Sequence, residues 1–188
     1  MANLISLDEY KEFEGLSSTK EDTKLELLVA STSQLVKTYC GNSIIDYYNI
    51  DKEEEFSVKW DTDLVQITES PIVSVSLVQH RQYESSDYVT MSASEYYIDN
   101  TTDCLFRVGR NWPRGFASVK LTYRAGYSRT PADLKLAVVD LVRYYLKNEY
   151  KDRQTLSGAT IENPSNSNKN GAAFPDHIKR VLDLYKNY

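Results

Sequence analysis

The sequence has little of what most enzymes, metal sites and membrane anchors are built from. Of its 188 residues only two are histidine and two cysteine. His80 lies near the end of an extended stretch and His177 in a C-terminal helical one. Neither belongs to an HExxH or HxH pattern, which argues against a zinc site. Cys40 and Cys104 are far apart and have no CxxC partner, so two buried free thiols are expected. There is no GxSxG elbow, no GxxxxGK[ST] loop and no GxGxxG. No window approaches the run of about 18 apolar residues that a membrane helix needs. The opening MANLISLDEYKEFEG puts acidic residues where a signal peptide has basic ones. The expectation is a protein made and used in a reducing cytoplasm, with no membrane, no cofactor, no metal and no catalytic residues.

Positive charge is also scarce. Lysine and arginine number 22 against 27 aspartates and glutamates, a formal net charge of −5. Such a chain has no general attraction for phosphate backbones. Asp61 and Asp63 form the tidiest carboxylate pair, but the glycine and distant glutamate of an EF-hand are missing, so they read as a solvated turn. The run Glu53-Glu54-Glu55 reads as a solvated loop entering a strand. One basic stretch, Arg107 to Gly115, sets three arginines around a Trp-Pro turn, a pattern better suited to pairing nearby acids than to binding phosphate. What is abundant is tyrosine: 15 against five phenylalanines. Tyrosine combines contact area with a polar tip, which suits either a half-wet core or a surface covered only on assembly.

Ser6 followed by Glu9 reads as a capping box opening a helix through Leu7, Tyr10 and Phe13, closed by Gly15. Ser18 or Thr19 then caps a second helix, with Glu21 and Asp22 in its first turn. Leu25, Leu28, Leu35, Val36 and Tyr39 form its stripe, interrupted by Thr32, and Cys40-Gly41-Asn42 stops it. From Phe56 the period shortens. Phe56, Val58 and Trp60 alternate, as do Val73, Val75 and Leu77. Tyr96–Ile98, Leu105–Val108 and Val119–Tyr123 are further extended pieces between turns. At Thr130 the pattern returns to helix, with Thr130 as N-cap, Pro131 at the first helical position and Asp133 beyond. Leu134, Ala137, Val138, Leu141, Val142, Tyr145 and Leu146 give it a wide apolar face, and fraying is expected near Lys151-Asp152-Arg153.

The segment Asn163 to Gly171 has no large apolar residue and reads as a flexible tether. Beyond it Pro175 and Asp176 open a last helix, with Ile178, Val181, Leu182 and Tyr185 at i, i+3, i+4 and i+7. A helix of about a dozen residues is marginal alone. Together with Phe174, these four side chains are the candidate partner-binding residues. The groove they fill belongs to their own domain, to a neighbouring subunit or to another protein.

Several of these pieces resemble the head–tail connector (adaptor, head-completion) proteins of tailed bacteriophages. The short helix carrying Leu7, Glu9, Tyr10 and Lys11, then an acidic turn and a long helix ending Tyr39-Cys40-Gly41, resembles that family's opening. Ser70-Pro71-Ile72-Val73-Ser74-Val75 resembles its Pro-x-x-x-Val strand. Leu121-Thr122-Tyr123-Arg124-Ala125-Gly126-Tyr127 matches its V-x-Y-x-A-G-Y strand end, followed by Pro131-Ala132-Asp133-Leu134-Lys135. Glycine at 126 also suits a positive-φ exit from a strand.

The fold class expected is α+β: a helical bundle, made of an N-terminal helical hairpin plus long C-terminal helices, with an inserted antiparallel β-sheet or small barrel. The domain expectation is a bundle core over 1–43 and 128–153, a β-rich insert over 44–127, a tether over 154–174 and a docking helix over 175–188. The resemblance implies a structural virion protein of the neck, assembled in the host cytoplasm. It would form a homo-oligomeric ring, often a dodecamer, beneath the portal protein, joined to a downstream neck or tail protein. DNA would pass through the channel without sequence recognition, since twelve copies at −5 would sum to about −60. The alternatives are a neck stopper or tail-completion protein of the same particle, or a small ligand-binding module or enzyme.

Overall fold

The structure, a computed structural model, describes residues 1–147, 153–156, 159–162 and 174–186. The chain divides into two units, one made of residues 1–40 and 130–186, the other of 41–129.

The first unit opens with α1 (Leu7–Glu14), held by the expected capping box. Glu9 N–H donates to Ser6 Oγ at 3.0 Å, and Ser6 N–H to Glu9 Oε2 at 2.8 Å. Gly15 closes it in the left-handed conformation, φ 68°. In α2 (Asp22–Cys40) Thr32 does not interrupt the buried face but belongs to it, its hydroxyl donating to Leu28 O at 2.7 Å. Ser33 and Lys37 are buried beside it and pin the N-terminal segment. Leu4 N–H donates to Ser33 Oγ at 3.1 Å, and Lys37 Nζ to Ala2 O at 2.7 Å. One turn apart on the helix, they hold two backbone groups that would otherwise be desolvated without partners.

Helix α3 (Ala132–Leu146) buries Leu134, Ala137, Val138, Leu141 and Val142 as expected, while Tyr145 and Leu146 stay half-buried. Its cap is not Thr130. Pro131, at φ −55° and ψ 147°, is the N-cap, because its carbonyl accepts the first helical bond from Lys135 N–H at 2.8 Å. Pro175 opens α4 (Asp176–Asp183) in the same way, accepting from Lys179 N–H at 2.9 Å. Arg153–Leu156 (β1) and Ala159–Glu162 (β2) form an antiparallel ribbon. Residues 163–173 of the expected tether over 154–174 lie outside the described residues, as do Lys151 and Asp152 of the expected fraying point, whereas Arg153 opens the ribbon.

The second unit holds seven further strands: β3 (Lys52–Val58), β4 (Leu64–Gln66), β5 (Ile72–His80), β6 (Val89–Thr90), β7 (Tyr96–Asp99), β8 (Cys104–Arg107) and β9 (Gly115–Ala125). They make two antiparallel sheets, ordered β3-β9-β5-β6 and β4-β8-β7. Val65 and Leu105 from one sheet meet Val78, Val119 and Leu121 from the other in a shared core that also takes in Trp112.

The acidic run lies in a strand, not a loop. Alternation places Glu53 and Glu55 on the face of Lys120, whose Nζ is 2.6 Å from Glu53 and 3.9 Å from Glu55. Glu54 lies on the other face, where it accepts from Tyr123 Oη at 2.7 Å and from Thr68 Oγ1 at 2.6 Å.

The expectation of a helical bundle with long C-terminal helices is overturned, although the class remains mixed α+β. The described helices have 8, 19, 15 and 8 residues, and the two sheets are open rather than closed into a barrel. An apolar stripe sets which face of a helix is buried but not how long the helix runs. Helix α4 tightens and ends as Leu184 N–H turns back to Val181 O at 3.1 Å.

Gly126 ends β9 where the chain is most constrained. Its φ is 97°, and a Cβ there would lie 2.3 Å from Ile44 O. Gly126 N–H donates to Pro71 O at 2.8 Å and Tyr127 N–H to Ile44 O at 2.7 Å. Gly126→Ala therefore brings both a left-handed backbone and a clash with a main-chain carbonyl. Urea denaturation should show a loss of at least about 2 kcal/mol, whereas an unchanged midpoint would contradict the strain.

Candidate assembly surfaces

Among the described residues no group of three His, Cys, Asp or Glu is placed to hold a metal ion. His80 and His177 lie in different units. Burial, with Arg107 nearby, lowers the His80 imidazole below its ordinary pKa. Of the three arginines around the Trp-Pro turn, Arg107 is buried, donates to Asn111 O at 3.0 Å and sits 5.6 Å from the Trp112 ring centre. Arg114 pairs with Asp61, one of the two turn carboxylates. Arg110 is exposed. One arginine is thus spent on its own turn and a second on Asp61, so the patch is not a row of free cations.

The five C-terminal candidates fall together on one side of α4. Phe174, Ile178 and Leu182 are buried in the first unit, and Val181 and Tyr185 are half-buried. Phe174 meets Tyr39 of α2 edge-on, ring centres 4.9 Å apart. Tyr39 Oη donates to Asp183 Oδ1 at 2.6 Å, and Tyr185 Oη to Asp133 Oδ1 of α3 at 2.6 Å. Cys40 Sγ approaches Leu182 O at 3.6 Å. Burial, with Asp183 close by, pushes this thiol up to about 11. Within the subunit, then, the stripe fills a groove between α2 and α3.

Two other surfaces among the described residues are apolar and exposed. On the outer face of the three-stranded sheet, Leu64, Phe106 and Tyr97 stand side by side across β4, β8 and β7. Tyr97 and Phe106 stack at 4.8 Å with rings 2° from parallel, yet Tyr97 is 52% exposed. Trp60, 70% exposed, joins this row at Leu64, the two lining one groove of about 360 Å³. The solvent face of an antiparallel sheet is ordinarily polar, so the row is an exception. Alternation of Phe56, Val58 and Trp60 predicts a strand running on through Trp60, but the strand stops at Val58.

The second surface lies in the first unit, a groove of about 410 Å³ between α1 and α3. Ile5, Phe13, Leu136 and Val139 line it, with Glu9, Glu12 and Lys135 at its rim. Lys135 Nζ pairs with Glu9 and, with the capping bond to Ser6 N–H, holds that carboxyl below its usual range. Phe13 is 55% and Leu136 48% exposed.

The α4 groove makes Cys40 a reporter. At pH 8 the native thiol should resist iodoacetamide, being both enclosed and mostly protonated. Ile178→Asp, which buries a carboxylate, should release α4 and raise Cys40 alkylation at least about tenfold, read by peptide mass spectrometry. Equal labelling of both proteins would contradict the packing. Leu182→Ala should cost about 2–5 kcal/mol in urea denaturation.

A family model described as head completion protein matches residues 3–188. The chain is 23% identical over 186 residues to the head completion protein of Escherichia phage T5, covering 97% of this chain and 98% of that one. Among solved structures it is similar to a chain in the neck of an empty gene transfer agent particle computed with C6 symmetry. The TM-score is 0.62 at 14% identity, over 98% of this chain and 90% of that chain. For a chain in the neck of the native particle computed with C12 symmetry the TM-score is 0.59 at 13% identity, over 100% and 94%. At such identities the structural matches establish a common fold. With a family model spanning nearly its whole length, the chain belongs to the head completion protein family, in agreement with the connector likeness of its sequence.

Proposed function

We propose that the chain is a structural subunit of a virion neck, not an enzyme. It forms a homo-oligomeric ring beneath the portal, joins the DNA-filled head to the next neck or tail component, and continues the DNA channel. The observation that carries this reading is the family match over residues 3–188. The fold is shared with chains from two necks computed with sixfold and twelvefold symmetry, which supports a ring.

The chemistry of the surface supports it too. The two grooves among the described residues are lined mainly by apolar side chains, which suits contact with other proteins. The net charge of −5 and the internal pairing of Arg107 and Arg114 suit a wall past which DNA slides without adhering. Phe174, Ile178, Val181, Leu182 and Tyr185 serve a portal or a neighbouring subunit only if α4 leaves its own groove on assembly.

The test is to assemble particles without this chain. Heads should fill with DNA yet join no tails, and purified chain added back should restore joining. A chain ending at Arg153 should restore it at least about tenfold less well, because without α4 the groove that Leu182 fills is open. Heads that gain tails equally well without the protein would overturn the reading.

A further inference from the structure

Among the described residues the strands of the β1–β2 ribbon pair only with each other. A two-stranded ribbon is marginally stable alone in water and needs a further packed element. The register of this one sorts its residues by polarity. Gln154 stands opposite Ile161 and Leu156 opposite Ala159, so alternation places these four on one face. Arg153 opposite Glu162 and Thr155 opposite Thr160 take the other face, which is wholly polar. The ribbon is therefore an amphipathic layer, three of the four residues on one face being apolar.

The three-stranded sheet has the matching defect. Leu64, Phe106 and Tyr97 lie in register across β4, β8 and β7. Tyr97 is 52% exposed beside its stacked partner, and Leu64 is exposed too. An apolar row on an antiparallel sheet is what a second β layer covers in a sandwich. The row crosses three strands, roughly 10 Å at the usual spacing, wide enough to seat a two-stranded ribbon.

We propose that the ribbon of one copy lays the face of Leu156, Ala159 and Ile161 on the Leu64, Phe106 and Tyr97 row of the next copy. The inference rests on the ring reading and names an interface within it. A closed ring of identical subunits needs a heterologous contact, two different patches on each copy meeting in succession. Ribbon and row are two such patches, a β layer and a sheet face that calls for one, and each chain carries both. Around a closed ring every ribbon then finds a sheet and every sheet a ribbon. A separate neck protein on the sheet face would leave the ribbon still without its packed element.

Cross-linking in assembled particles tests this. Asp99 lies on the outer sheet face two residues beyond Tyr97, and Gln154 on the apolar face of the ribbon. Replacing both by cysteine leaves the apolar residues of each patch in place. The doubly substituted chain, Asp99→Cys with Gln154→Cys, is added back to heads that lack the protein. A bismaleimide is then applied whose arm exceeds the roughly 10 Å between packed sheets. Denaturing gels should show a ladder of covalent dimers, trimers and larger species of this chain, absent from either single variant. Tyr97→Glu, at a half-exposed position that keeps the wild-type melting temperature, should lower tail joining at least about tenfold, as should Ile161→Glu. A doubly substituted chain that enters necks but links only within itself, or not at all, overturns the contact and leaves the ring. Wild-type joining by both glutamate variants overturns it equally. Links from the Asp99→Cys variant to a different neck protein assign the sheet face to that partner and also overturn it. A wild-type chain that is not retained on heads overturns the ring reading itself.

Discussion

The second unit is organised around a backbone knot at Ile44, Pro71 and Gly126. The chain enters this unit at Gly41 and leaves it at Arg129. Both ends are fastened within it, Tyr127 N–H to Ile44 O and Gly126 N–H to Pro71 O. Ile44 is a β-branched residue at φ 69°, a conformation that costs of the order of 1–3 kcal/mol. Its neighbours over-determine it. Its own N–H donates to Asn42 Oδ1 at 2.8 Å, and Asn42 Nδ2 donates to Ser70 O at 2.7 Å. Glu69 accepts from Ser43 N–H at 2.8 Å and from Lys52 Nζ at 3.1 Å. Only a residue without a Cβ can pass this close to Ile44, so Gly126 fixes where β9 ends and the helical chain resumes.

Through Lys52 that knot joins a further polar network. Lys52, Thr68 and Glu54 form a chain of short contacts that ends on the Tyr123 hydroxyl. Burial raises the Tyr123 phenol well above its ordinary pKa, so it remains a donor at any physiological pH. Only the Tyr123 end of this network is part-buried, and the two bonds of Thr68 lie at the surface. The first unit has a counterpart in Ser33 and Lys37, which hold the backbone of residues 2 and 4.

Local chemistry was legible in the sequence, and tertiary chemistry was not. Ser6 and Glu9 are three residues apart, so their reciprocal bonds could be read directly. Gly126 stood out because a strand has to turn there. The role of Glu53 to Glu55 could not be read, since their partners Lys120 and Tyr123 are more than sixty residues away. Thr130 looked like a cap, but the carbonyl that accepts the first helical bond is Pro131's. The stripe on α4 was clear while its groove was not, because a periodic pattern says which side chains are buried and not against what. Trp60 is the opposite case. Alternation expects such a residue to face a core, and only the structure leaves it in solvent.

These features fit the fastening role proposed for the chain. Among the described residues each unit exposes an apolar groove, as parts that join others commonly do. Cryo-electron microscopy of the particle neck is the most direct test of that account. The account predicts density for this chain as a closed ring at the portal's lower rim, with every copy touching two neighbours. A neck fully accounted for by other proteins, or this chain found as isolated copies away from the portal, would contradict it.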